Sequence, residues 1–311
     1  MSSRADLGAL LILGAGWGFT VPLTKIAVST GHAPLGLIFW QTLIGAVALG
    51  ALRLILGKPV RLSWPLWRTF LLIACLGTVL PNSFSYLAAA QLHAGVMGIV
   101  ISLVPVFAFP VALLLGNDRF SWRRFLGLFA GLCGVVMLAG PQSLPEAAMV
   151  LWIPVALIAP FCYALEGNLV AKLGTQGMGP GHALFGASVA AAMISLPLPL
   201  ALGSGQFIDP RGLVFGAAEY AVLGSSVIHV PVYTRYVWLV GRAGAVFASQ
   251  VAYVVTGSGV VWAMVLLGEN YSAFVWLSLC LILGGVFLVQ PRHKRPMVAK
   301  APAGQGGPAA Q

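Results

Sequence analysis

A chain of 311 residues that is 59% hydrophobic and only 8% charged, with a mean hydropathy of +0.95, falls outside the soluble classes, in which about a quarter of residues are charged. The net charge of +10 does not point to nucleic acid, because the basic residues lie in short connections between apolar runs and not on one polar face interleaved with aromatics. Cys75, Cys133, Cys162 and Cys280 sit inside apolar runs without metal-ligand spacing, so neither a disulfide framework, a metal site nor a cofactor is expected.

A bilayer core about 30 Å thick needs about 20 apolar residues of helix. Ten runs meet that template: Leu7–Val28, Pro34–Leu56, Arg68–Ala90, His93–Leu115, Trp122–Gly140, Ala147–Val170, His182–Gly203, Leu213–Leu239, Gly244–Leu267 and Ser272–Gln290. The first passes without a small-residue cleavage site into Pro22-Leu23-Thr24-Lys25, so it is expected to remain as a span and not to be removed as a signal peptide. Between the fifth and sixth runs, the polar Pro141-Gln142-Ser143-Leu144-Pro145-Glu146 divides the spans five and five.

A recurrence supports that division. Pro81, Tyr86 and Leu114-Leu115-Gly116 return as Pro231, Tyr236 and Leu266-Leu267-Gly268, offset by 150 residues at the proline and 152 at the Leu-Leu-Gly. A unit with an odd number of spans enters on one side and leaves on the other, so its second copy is inserted upside down, an arrangement common among secondary transporters. The expected fold is an all-α membrane protein with ten transmembrane helices in two inverted five-helix repeats, residues 1–140 and 141–290, followed by a disordered basic cytoplasmic tail, 291–311. The tail is expected to touch anionic lipid at most.

Lys and Arg are retained on the cytoplasmic side of membranes. With the N-terminus inside, all 17 of them lie on that side except Lys25 and Arg211, near the outer side, and Arg235, within the eighth span. Both termini are therefore expected to be cytoplasmic. Trp64, Trp67, Trp122, Trp152 and Trp276 lie near span ends and read as headgroup anchors. Gly14 and Gly18, Gly127 and Gly131, and Gly212 and Gly216 have the spacing that lets helices approach closely in lipid. They read as packing within one chain, with dimerisation through the fifth span as the alternative, so the chain is expected to be a monomer or a homodimer.

Ionisable groups inside a span are costly and need a partner or water. Those groups are Glu166, Glu219, His229 and Arg235. Glu166 shares a helical face with Cys162 and Tyr163, and is followed by Gly167 and Asn168. It is a candidate for binding a substrate ammonium or exchanging a proton, against a structural hydrogen bond or an ion pair with Arg235. Glu219, beside Tyr220 about two turns into the eighth span, is a candidate for ion coupling or for an outer vestibule; His229 titrates near neutral pH in water but is also a common core residue.

Pro81 and Pro231 each remove a helical hydrogen bond and are expected to kink the third and eighth spans. Around them stand Asn82, Ser83, Ser85, Tyr86, Tyr233, Thr234 and Tyr236, while Ser102 and Pro105 in the fourth span and Gln250, Tyr253 and Thr256 in the ninth complete the expected walls of a central cavity. The two prolines are expected to face one another across it, with Glu166 close to both.

Trp17-Gly18 with Lys25, the Tyr86 region and Gly268-Glu269 before the last span, in ten spans over two halves, resemble the drug/metabolite transporter superfamily, specifically the transporters built from two EamA repeats. The chain departs from that pattern at Gly116-Asn117-Asp118-Arg119, in place of a Gly-Glu pair, and at Tyr163-Ala164-Leu165-Glu166, in place of Trp-Ala. The resemblance implies a cavity walled by the first, third, fourth, sixth, eighth and ninth spans, with the fifth and tenth peripheral. It also implies alternating access for small metabolites, often the export of amino acids or related compounds across a bacterial-type inner membrane.

Substrate binding is accordingly expected at Trp17, Asn82, Tyr86, Ser102, Tyr163, Glu166, His229, Tyr233, Gln250 and Tyr253, and ion coupling at Glu166 and Glu219, with protons as the candidate coupling ion. A passive channel is the alternative, although no span repeats a polar residue down one face as an ion pathway does. An intramembrane enzyme is the least supported class, since Gly257-Ser258-Gly259 is the nearest thing to a nucleophile motif and its flanking pattern is wrong.

Overall fold

The structure is a computed structural model that describes residues 3–28, 34–58, 63–89, 91–92, 97, 100–139, 150–197, 201, 216–267 and 273–289. Among these residues every regular element is helical, and helices occupy all ten expected runs. The first two spans are Ser3–Val28 and Pro34–Ile55. The third is built from Trp64–Ala74, a π-helical turn Cys75–Val79, and Leu80–Ala89. The fourth and fifth are Val104–Leu114 and Trp122–Ala139. Ile153–Leu173, Pro180–Ser195 and Ala217–Ala243 form the sixth to eighth. The ninth divides into Ala245–Ser249 and Val251–Leu267, and the tenth is Ala273–Leu288.

Several boundaries follow from local chemistry. Pro65, Pro105, Pro154 and Pro180 occupy the first turns of their helices, where a missing N–H costs nothing and the fixed φ already suits the helix. The sixth and eighth spans end at Gly174 and Gly244, with φ of 69° and 91°, a region that glycine enters without strain. Among the described residues, five of the spans are long and apolar enough by themselves to cross a bilayer.

The bundle is oily outside, and its largely apolar interior also holds polar groups. Ile12, Leu54, Ile55, Leu114, Leu151 and Phe287 are 68–87% exposed, whereas Glu166, Asn168, Gln250 and Ser278 are at most 2% exposed. That distribution suits a lipid solvent, in which hydrophobicity does not drive helices together and interior polar groups find partners. Trp64, Trp122 and Trp276 are exposed, as anchors would be, while Trp67 and Trp152 are half-buried against neighbouring helices.

The contacts between halves show an internal two-fold relation. The first span packs on the eighth and ninth, and its counterpart in the second half, the sixth, packs on the third and fourth. The second span packs on the eighth as the seventh packs on the third, and the pairs second with seventh, fourth with ninth and fifth with tenth map onto themselves. Exchanging the halves therefore preserves the principal contacts between them.

Glycines set the closest approaches between helices. Gly18 faces Ser258, whose hydroxyl donates to the Gly14 carbonyl at 3.0 Å and to that of Val254 at 2.7 Å. Gly127 meets Gly285 backbone to backbone, so the fifth span spends its small-residue face on the tenth. Ser258 is thus a helix-packing residue. Gly212, Gly268-Glu269 and the tail from residue 290 lie outside the described residues.

Candidate functional site

A cavity of about 380 Å³ opens at the centre of the bundle. At about 30 Å³ per water it holds on the order of a dozen waters, or one small metabolite. Its walls come from both halves. Trp17 and Thr20 stand on the first span, Gly77, Thr78, Asn82 and Ser85 on the third, Tyr163 and Glu166 on the sixth, and Ser226, His229, Tyr233 and Tyr236 on the eighth.

The third span is shaped for this position. Pro81 has no N–H to offer the carbonyl four residues earlier, that of Gly77, and the Leu80 N–H reaches back to the Cys75 carbonyl, one residue further than in an α-helix. The resulting π turn carries Gly77 and Thr78 into the wall. Such one-turn bulges often mark functional sites. A Cβ on Gly77 would touch the Glu166 side chain at 3.4 Å and the Tyr233 hydroxyl at 3.5 Å, so the turn lies directly against the buried acid.

Three side-chain hydrogen bonds tie the walls together. The Tyr233 hydroxyl donates to Glu166 Oε1 at 2.6 Å, the Tyr163 hydroxyl donates to Asn82 Oδ1 at 3.0 Å, and Trp17 Nε1–H donates to His229 Nδ1 at 3.1 Å. Since Nδ1 accepts, the imidazole in this arrangement is the neutral tautomer protonated at Nε2. Around these bonds the rings of Trp17, His229, Tyr233 and Tyr236 cluster with centroids 5.3–6.3 Å apart.

Of the expected site residues, Trp17, Asn82, Tyr163, Glu166, His229 and Tyr233 come together in this wall. The side chain of Tyr86, like that of Lys25, lies outside the described residues. Ser102, Gln250 and Tyr253 are fully buried but do not line the cavity. Tyr253 turns the other way, its hydroxyl donating to the Leu128 carbonyl at 2.8 Å and its ring lying against Gly131 of the fifth span, where the absent side chain leaves room for it. Gln250 donates to its own turn, at the Phe247 carbonyl, and its Oε1 is buried with no hydrogen-bond partner among the described residues.

Glu219 lies in the first turn of the eighth helix and does not line the cavity. Its carboxylate accepts from the Gly216 N–H at 2.6 Å, so it caps the start of the eighth span, where the helix dipole favours an anion. The prolines do not face one another across the cavity. Pro81 is buried outside the wall, and Pro231 is exposed, in a stripe with Leu223, Val227 and Arg235 at four-residue spacing. Tyr233 is rotated about 200° from Pro231 on a helix of 3.6 residues per turn, which is why one faces the acid and the other the bundle's exterior. Nor does Arg235 pair with Glu166. Its guanidinium lies over the Trp238 ring, 4.1 Å from the centroid.

Sequence reasoning set Tyr236 beside the expected cavity but outside the substrate-binding set, and it missed the contribution of the second and seventh spans, which add Gln41, Thr42, Gly45, Leu184, Ala187 and Ser188 to the expected walls. Their signal was present but weak: Gln41-Thr42 is the polar pair inside the second apolar run, and Ser188 stands within a run of small residues.

Below the cavity, polar bonds close the ends of the helices. Asp6, fully buried, accepts from Arg242 Nε at 2.6 Å and so joins the start of the first span to the end of the eighth. Asn168, also fully buried, donates to the carbonyls of Ala108 and Ala164 at 3.0 and 2.9 Å, and Asn117 donates to its backbone carbonyl at 2.8 Å. Arg124 pairs with Asp118 in the connection after the fourth span.

Comparison with known proteins follows the same division of the chain. The profile described as the EamA-like transporter family matches residues 6–140 and again residues 150–290. A solved crystal structure superposes with a TM-score of 0.74 at 19% sequence identity, covering 93% of this chain and 96% of that one, a likeness of fold. Comparison with curated proteins finds no match.

Proposed function

This chain belongs to the EamA-like transporter family, and on that premise we propose that it is a secondary transporter of the inner membrane, exporting a small amino-acid-related metabolite through the central cavity by alternating access. The observation that carries the reading is the cavity itself: about 380 Å³, walled by helices of both repeats, and holding among its described lining residues one buried carboxylate, bound by a tyrosine of the eighth span. Repeats at residues 1–140 and 141–290 that differ in orientation supply two exchangeable half-walls, and rocking one against the other opens the cavity to each side in turn. The basic residues of the connections support a topology with both termini in the cytoplasm.

In this reading Trp17, Asn82, Tyr163, His229 and Tyr233 shape the pocket, and Glu166 binds the substrate or exchanges a proton with it. The test is counterflow in proteoliposomes. Uptake that saturates with substrate and is accelerated by substrate on the far side supports a carrier; flux linear in concentration supports a channel. Glu166→Gln is expected to lower transport while leaving the protein folded, and unchanged transport at every pH tested removes Glu166 from the mechanism.

A further inference from the structure

The cavity wall sorts solutes by charge. Among its described lining residues there is one carboxylate, Glu166, and neither Lys nor Arg. His229 brings no positive charge as it stands, because its Nδ1 accepts the Trp17 N–H. The nearest guanidinium on the eighth span, Arg235, is on the outer stripe over Trp238. The cavity therefore offers a cation a carboxylate and offers an anion only neutral donors.

The rings decide what kind of cation fits. Trp17 is inclined to His229, Tyr233 and Tyr236 by 42°, 66° and 56°, and Tyr233 to Tyr236 by 47°, while His229 lies stacked on Tyr233 at 24°; the four rings form one contiguous aromatic patch on the cavity wall. Aromatic faces attract a cation within about 6 Å of the ring centroid, most strongly where water is excluded, and cages of such rings recognise alkylated ammonium groups. A bare metal ion is poorly served here, since calcium takes about six to eight oxygen ligands and magnesium about six in a strict octahedron. The rest of the wall is mixed: Val104, Leu184, Ala187, Val230, Val251 and Val255 give it an aliphatic side, and Gln41, Thr42, Thr78, Asn82 and Ser188 add neutral polar groups.

We infer that the transported solute is an organic monocation, an amine or alkylammonium whose charged head lies between the Glu166 carboxylate and the faces of Trp17, Tyr233 and Tyr236, with its apolar remainder against the aliphatic wall. This rests on the transport reading above and narrows it. A free amino acid brings a carboxylate for which the described wall has no cation, so the decarboxylated amine is preferred over its parent.

The experiment uses the purified full-length protein and three probes that share one ring and chain: phenethylamine, phenylalanine and the neutral 2-phenylethanol. Titration by intrinsic tryptophan fluorescence is expected to show phenethylamine binding at least about tenfold more tightly than either of the others, the scale of one favourable contact of the charged head. Glu166→Gln is expected to remove that preference, and Trp17→Leu to weaken the amine alone. The second variant keeps the test decisive if the first does not fold. Equal or tighter binding of phenylalanine, amine binding indifferent to both variants, or no binding of any probe overturns the inference. Proteoliposome counterflow separates the two readings. Saturable counterflow of phenylalanine or phenylethanol without the amine refutes the cation site and leaves transport standing, whereas amine binding with no counterflow keeps the site and refutes transport.

Discussion

Asn168 offers the sharpest test of how the C-terminal end of the sixth span is held. It is two residues beyond Glu166, fully buried, and outside the cavity wall. Asn168→Leu keeps the bulk and deletes three bonds: Nδ2–H to Ala108 at 3.0 Å, Nδ2–H to Ala164 at 2.9 Å, and the bond that Oδ1 accepts from Asn117 at 3.3 Å. The Ala164 bond lies within the helix, and that carbonyl still has a backbone donor, so its loss costs little. The other two join separate elements. Side-chain bonds between helices in membrane proteins contribute about 0.6 kcal/mol on average and rarely more than about 1.7, which puts the expected loss at about 1–2 kcal/mol. Asn117→Ala leaves both Asn168 donations intact and is expected to cost less. Reversible unfolding of the full chain in detergent with increasing SDS measures both. If Asn168→Leu is as stable as the parent, or Asn117→Ala costs as much as Asn168→Leu, the fourth and sixth spans are not held in this way.

Gly131→Ala puts a methyl group into the Tyr253 ring and threatens the bond from its hydroxyl to Leu128, so a loss of about 1–3 kcal/mol is expected from overpacking, read as a lower melting temperature. An unaltered melting temperature would mean that the ring is not packed there. Asp6 and Arg242 are expected to be coupled by about 1 kcal/mol or more in a double-mutant cycle with Asp6→Asn and Arg242→Gln, because the carboxylate is fully buried and the bond is short. Strictly additive losses would show that the pair does not join the two spans. Trp17→Phe keeps an aromatic face and deletes only the donor to His229, so it is expected to weaken amine binding less than Trp17→Leu does; equal losses would show that the indole N–H, not the ring face, does the binding.

The positions of the helices were legible because an apolar run of bilayer length is a strong signal and Pro65, Pro105, Pro154, Gly174 and Gly244 punctuate it. Glu166 and His229 were legible for the opposite reason, as titratable groups where lipid tolerates few. Helical phase was not. In a span that is apolar almost all round, no polar stripe says which side faces inward, so Tyr253 was assigned to the cavity when it turns to Gly131, and Pro231 was paired with Pro81 when it faces outward. The π turn was beyond reach as well. Cys75-Leu76-Gly77-Thr78-Val79 has nothing but a glycine, and a proline two residues after its end, to mark a register shift that rotates Thr78 into the wall.

The two-fold pattern of helix contacts gives the site's hydrogen bonds a meaning that none has alone. Trp17 to His229 joins the first span to the eighth, and Tyr163 to Asn82 joins the sixth to the third. These helix pairs are counterparts under exchange of the halves, and each bond runs from an aromatic donor on the first span of one repeat to a polar acceptor on the third span of the other. The Tyr233–Glu166 bond breaks the equivalence, since it joins the eighth span to the sixth within one repeat and has no partner bond among the described residues of the first. A carrier that rocks between two related states can exchange symmetric contacts at little net cost, whereas an asymmetric one travels with its own repeat. In the carrier proposed above, the acid and the tyrosine that holds it move with one repeat and the Trp17 face with the other, so that a cation held between them would feel every step of the rocking.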